Sequence, residues 1–118
     1  MAKQRRIHKV AERIRGILAL ELQRVADPRF YLVTITSVVT SNDLRNAKVY
    51  WMVSQSNKER IAEVKEAFVH ATGMFRRVIA QELSIRFVPE LKFYYDDTYD
   101  EKERVDLLFA RIEAEQES

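Results

Sequence analysis

The 118-residue chain has no cysteine, two glycines, two prolines and two histidines. Without cysteine there is no disulfide, no thiolate metal site and no cysteine nucleophile, which fits a reducing compartment. Two glycines cannot build a Walker-type phosphate loop. His8 and His70 fall in different elements with no acidic or cysteine ligand at metal spacing, so both read as structural or surface residues. The serines are few and scattered, and no Ser/His/Asp constellation assembles. Long apolar runs are missing too. None approaches the ~18 residues of a membrane span. Lys9, Glu12, Arg13 and Arg15 interrupt the apolar core that a signal peptide would need after its basic start. These absences predict a cytoplasmic protein with no cofactor and no resident metal.

What is present is a foldable composition, 47% apolar and 32% charged, in a chain of one-domain length. The net charge of +2 hides an asymmetry. Met1–Tyr95 carries 17 Lys and Arg against 9 Asp and Glu, a balance of +8, whereas Asp96–Ser118 carries 3 against 9, a balance of −6. A basic body followed by an acidic tail points to a polyanionic partner, with the tail solubilising the chain or competing for the basic face.

Apolar residues at Ile7, Val10, Ala11, Ile14, Leu18, Leu22 and Val25 recur at three- and four-residue spacing and predict a helix from about Arg5 to Val25. Asp27-Pro28-Arg29 ends it, because proline disfavours helical geometry in the residue before it. Tyr31–Thr40, rich in Val, Ile and Thr, predicts a strand whose phase blurs near Ser37, as a bulge would cause. Ala47, Val49, Trp51 and Val53 alternate with polar positions in a second strand. The pair forms an antiparallel hairpin with its loop around Asn42–Asn46. A second helical period runs through Ile61, Val64, Phe68, Ala71, Phe75, Val78 and Ile79. It keeps its phase through Gly73, although glycine costs about 1 kcal/mol relative to alanine in a helix interior. Ile85, Phe87, Leu91, Phe93 and Tyr95 share one parity, placing a third strand in Arg86–Tyr95 that starts after Pro89 or lies at an edge there.

Thr98 and Glu101 have capping-box spacing ahead of an amphipathic stretch at Val105, Leu108, Phe109 and Ile112. Asp96, Asp97 and Asp100 spell D-D-x-x-D, a magnesium-binding pattern in some large helical enzymes. At a helix N-terminus, complementing the dipole is sufficient reason for such carboxylates. The predicted organisation is a single domain over residues 1–113, closed by a helix from about residue 99, with an acidic frayed tail at 114–118.

Helix, strand, strand, helix–break–helix, strand and helix give an α+β sandwich with a three-stranded sheet covered by helices. The helix–break–helix between strands resembles a KH domain, where such a break approaches the nucleic-acid backbone. Here the break reads Ala71-Thr72-Gly73, an AxG form with Arg76 beyond it. Asp27-Pro28-Arg29, Val33-Thr34-Ile35-Thr36, Asp43-Leu44, Ala47-Lys48-Val49-Tyr50 and Val88-Pro89-Glu90-Leu91 with Phe93 and Asp96 stand in order around it. Together these resemble the bacterial ribosome-binding factor A family. The resemblance implies a type II KH-like fold in the order α-β-β-α-(AxG kink)-α-β-α and no catalytic activity. It implies binding to the small ribosomal subunit and its RNA, help in late maturation and 5′ end processing of that RNA, and importance in cold adaptation. The free chain is expected to be a monomer.

Phosphate neutralisation by Lys and Arg would carry such binding. The candidates are Lys3, Arg5, Arg6, Lys9 and Arg13 around the first helix, Arg45 and Lys48 in the hairpin, and Ala71, Thr72, Gly73, Arg76 and Arg77 at the break. Gly73 would let RNA approach the backbone. A helix starting after it would offer free N–H groups, and the arginines could pair with phosphate oxygens. Tyr50 and Trp51 could stack on bases, but Trp51 shares parity with Val49 and Val53 and reads as core. The competing reading is a protein-interaction module of similar α+β fold, docking a partner along a strand edge without touching RNA.

Overall fold

The computed structural model describes residues 2–54 and 56–117; Met1, Gln55 and Ser118, the last of them part of the expected tail, lie outside the described residues. Helix α1 spans Ala2–Arg24 and buries Ala11, Ile14, Leu18 and Leu22, one stripe at helical spacing. A 3-10 turn, Pro28–Phe30, follows. The Asp27 side chain accepts a hydrogen bond from the Arg29 N–H, and proline stands where the turn needs no donor. Strands β1 (Val33–Thr40) and β2 (Asn46–Val53) form the hairpin, and the register slips between Ile35 and Ser37, so the bulge falls where the phase blurred. Helix α2 is Lys58–Leu83, strand β3 is Glu90–Tyr95 and helix α3 is Thr98–Glu117.

The sheet order is β1-β2-β3, antiparallel then parallel. The parallel pairing requires a crossover, and α2 supplies it. β3 begins at the residue after Pro89, which cannot donate to a ladder. On its inner face the sheet presents Ile35, Val38, Ala47, Val49, Trp51, Val53 and Leu91 to the buried stripes of α1 and α2. At the centre is an aromatic cluster. Phe68 stacks on Phe93 with centroids 4.4 Å apart, and Phe30, Trp51 and Phe75 surround it.

The expected helix–break–helix is one uninterrupted helix. Asn57 caps α2 by accepting from the Arg60 N–H, and Ser84 ends it in the left-handed region at φ 51°. Gly73 has no positive φ. The reason is energetic: burying Phe68 and Phe75 on the same face stabilises α2 by about 2–3 kcal/mol each, which outweighs the ~1 kcal/mol glycine penalty. Gly73 is exposed, and a Cβ built on it would meet nothing within 4 Å.

The C-terminal helix also differs from expectation. Asp96, not Thr98, accepts the hydrogen bond at its start, from the Thr98 N–H at 3.0 Å. The helix runs through Glu117, and none of its described residues is buried. Its apolar stripe at Val105, Leu108, Phe109 and Ile112 faces solvent. The radius of gyration, 17.5 Å, exceeds the roughly 13.5 Å of a compact chain of this length because α3 projects from the core.

Candidate nucleic-acid interface

Lys3, Arg5, Arg6, Lys9 and Arg13 are all exposed on α1, and no acid interrupts them before Glu12. Glu12 itself pairs with Arg15 at 3.1 Å. Buried residues begin only at Ala11, so the first half of α1 presents charge beyond the core. Arg13 reaches the Glu82 carbonyl at 3.4 Å, at the end of α2 from which the 84–89 loop departs.

Ala71 packs against the core, and the Thr72 hydroxyl donates back to the Phe68 carbonyl at 2.7 Å. Because α2 is continuous here, its N–H groups after Gly73 are used within the helix, so the expected free helix start is absent. Thr72 instead lines a groove of about 680 Å³ between α2 and β3, with Lys65 and Lys92 beside Phe68, Val69, Leu91, Phe93 and Tyr94. The two arginines part company. Arg77 is exposed. Arg76 is half-buried and donates through Nε to the Pro89 carbonyl and through Nη2 to the Val88 carbonyl, both at 3.2 Å. It clamps the approach to β3 onto α2.

Arg45 and Lys48 are exposed on the hairpin. The loop before them is fixed by its own chemistry. Asp43 accepts from the Ser41 hydroxyl at 2.6 Å and from the Arg45 N–H at 3.0 Å. Those bonds hold the Asp43 carboxyl below its ordinary range, the Ser41 bond most of all. Leu44 adopts φ 59°. The Arg45 carbonyl in turn accepts the Glu90 N–H at 2.8 Å, tying the loop to the start of β3. Arg45 and Arg76 therefore line one concavity, with Asn46, Phe87, Val88 and Glu90.

Sequence reasoning missed Lys65, Arg86, Phe87 and Lys92. Phe87 was hidden by its parity with Leu91 and Phe93. The strand begins at Glu90, so parity does not govern the loop, and Phe87 is 64% exposed. Trp51 is fully buried, as its parity implied, while Tyr50 lies on the outer sheet face with its ring 5.6 Å from that of Tyr94.

The acidic cluster is engaged locally. Asp96 accepts from the Thr36 hydroxyl at 2.8 Å, and Asp100 accepts from the hydroxyls of Ser56 and Tyr95. Among the described residues no group of three metal-ligating side chains is close enough to hold an ion. No described helix is long and apolar enough to cross a membrane.

Three helices and a mixed three-stranded sheet with a helical crossover into its parallel strand define a KH-like α+β protein. The family model described as ribosome-binding factor A matches residues 6–109. A Halothermothrix orenii ribosome-binding factor A is 34% identical over 117 residues, covering 98% of this chain and 95% of that one. The crystal structure of ribosome-binding factor A from Thermus thermophilus superposes with a TM-score of 0.68 at 24% identity, covering 75% of this chain and 93% of that one. A homology model of the Thermus thermophilus protein, fitted into the cryo-EM map of a 30S complex, gives 0.61 at 24% identity, covering 73% of this chain and 90% of that one. The chain belongs to the ribosome-binding factor A family.

Proposed function

We propose that this protein binds the small ribosomal subunit in the cytoplasm and assists late maturation of its RNA, including processing at the 5′ end, with greatest importance in the cold. It acts by binding, without a catalytic step of its own. Family membership supports the reading, as does the relative fitted into a 30S complex. The observation that carries it is the exposed cation surface on the +8 body: the α1 row, Arg45, Lys48, Arg77, Lys65 and Lys92. Within that surface we assign phosphate contacts to Lys3, Arg5, Arg6, Lys9, Arg13, Arg45, Lys48 and Arg77. Thr72 and the exposed Gly73 give RNA a close approach at the α2–β3 groove, with Ala71 and Arg76 supporting that surface from behind. Residues 1–113 form the binding domain and the acidic end of α3 lies outside it.

Co-sedimentation with purified small subunits tests this reading. Binding is expected, lost after the subunit's RNA is digested and weakened when Arg45 and Arg77 are replaced by alanine. With about eight phosphates contacted, log affinity falls with log salt at a slope near −6 to −7. Retention after nuclease treatment with a flat salt dependence would instead select the protein-docking alternative. For that reading β1 and β3 offer the two sheet edges.

A further inference from the structure

The outer sheet face meets the α2–β3 groove at Lys92 and Tyr94, whereas Arg45, Arg86 and Phe87 lie outside that groove. The guanidinium carbons of Arg45 and Arg86 lie 5.9 and 5.4 Å from the centroid of the exposed Phe87 ring. These two arginines come from different loops, and both loops are held. The Arg45 carbonyl accepts from Glu90, and Arg76 grips the carbonyls of Val88 and Pro89. The concavity they frame is about 370 Å³.

From there the strand register sets the order of side chains along the outer face. Asn46 pairs with Glu90, Lys48 with Lys92 and Tyr50 with Tyr94. Each step advances two residues, about 6.7 Å. Cations and π faces thus follow one another: Phe87 with two arginines, then two lysines, then two tyrosines. Glu90 is the acid in the row, and its carboxylate can accept from a base's exocyclic amine.

We propose that this face binds an unpaired RNA strand, with one base stacked on Phe87, phosphates on Arg45, Arg86, Lys48 and Lys92, and a further base on Tyr94. The inference deepens the RNA-binding reading and rests on it. Every base has a π face, so aromatic rings on a sheet hold single strands with little sequence preference. Bases paired in a duplex cannot reach such rings. The charge on the row complements the backbone that would run along it.

Fluorescence anisotropy with a labelled, unstructured oligoribonucleotide and a duplex RNA of equal length tests the proposal. Phe87→Leu is expected to weaken single-strand binding about 5- to 150-fold, leaving duplex binding and the salt slope unchanged, and Phe87→Tyr restores affinity. Arg86→Ala is expected to make the single-strand salt slope shallower by about 0.7. Phe87 and Arg86 are exposed, so the fold should survive, and circular dichroism checks it. If the wild type binds the single strand while Phe87→Leu and Tyr94→Leu bind it equally well, the site is refuted and the RNA reading stands. If the wild type binds no RNA, both are refuted. Equal losses on single strand and duplex overturn the stacking assignment. Loss of subunit co-sedimentation with unaltered RNA affinity overturns it in favour of a protein partner.

Discussion

Replacing Arg76 by alanine removes the guanidinium that ties the Val88 and Pro89 carbonyls to α2. A hydrogen bond to a charged group is worth about 1.5–3 kcal/mol net. Both bonds are 3.2 Å long, at the long end of good geometry, and the side chain is only half-buried. The lower end of the range therefore applies, and partial solvation reduces the pair to about 2 kcal/mol in total. For a domain of this size that lowers the melting temperature by roughly 6–12 °C. Arg76→Lys should lose about half as much, because an ammonium cannot span two carbonyls as a planar fork does. Arg77→Ala, one residue away and exposed, should stay within ~0.5 kcal/mol of the parent. Thermal unfolding followed through Trp51, the single tryptophan and a fully buried one, reads all three variants with one probe. If Arg76→Ala melts within ~2 °C of the parent, the clamp contributes no stability and the reasoning fails.

Gly73→Ala should stabilise the free protein by about 1 kcal/mol in a melting scan, since the site is helical and open, while weakening subunit binding if RNA approaches the helix there; an unchanged melt would contradict the helical assignment. Ser84→Gly should add about 1 kcal/mol by relieving a left-handed serine at the end of α2, measurable by urea unfolding. Asp96 is held below its ordinary value of 3.8, first by hydrogen bonds from Thr98 and then by the Thr36 hydroxyl. Its stabilisation is therefore complete above the unfolded carboxyl's pKa and lost as pH falls through the lower folded value. Asp96→Asn should accordingly be less stable than the parent at neutral pH, with the gap closing below about pH 4 in urea titrations.

Local periodicity made most of the fold legible. The alternation of Val49, Trp51 and Val53 found β2, the phase slip near Ser37 found the bulge, and Pro89 left a strand that starts after it or lies at an edge there, of which the first holds. Gly73 misled because the likeness of Ala71-Thr72-Gly73 to a KH break was given more weight than the apolar phase that Phe68 and Phe75 carry straight through it. The stripe on α3 was equally legible, but amphipathicity says which face is apolar, not whether anything packs on it. At the site, the exposed cations of α1 could be read from spacing alone. The meeting of Arg45, Arg76, Arg86 and Phe87 could not, because it depends on the parallel register of β2 with β3, and no local pattern encodes a pairing between segments so far apart in the chain.

That register also sets an order of assembly as the chain leaves the ribosome that makes it. The β1–β2 hairpin closes on nearby contacts and can form early. β2 keeps one open edge until the whole of α2 and the six residues of β3 have been synthesised. Arg76 finds its two carbonyls once Val88 and Pro89 are made, but until β3 is complete the inner face of Trp51 lacks Tyr95, whose ring sits 5.1 Å away in the finished fold. Such an edge invites mispairing with other chains. A chain ending before β3 thus leaves that edge and one face of Trp51 open.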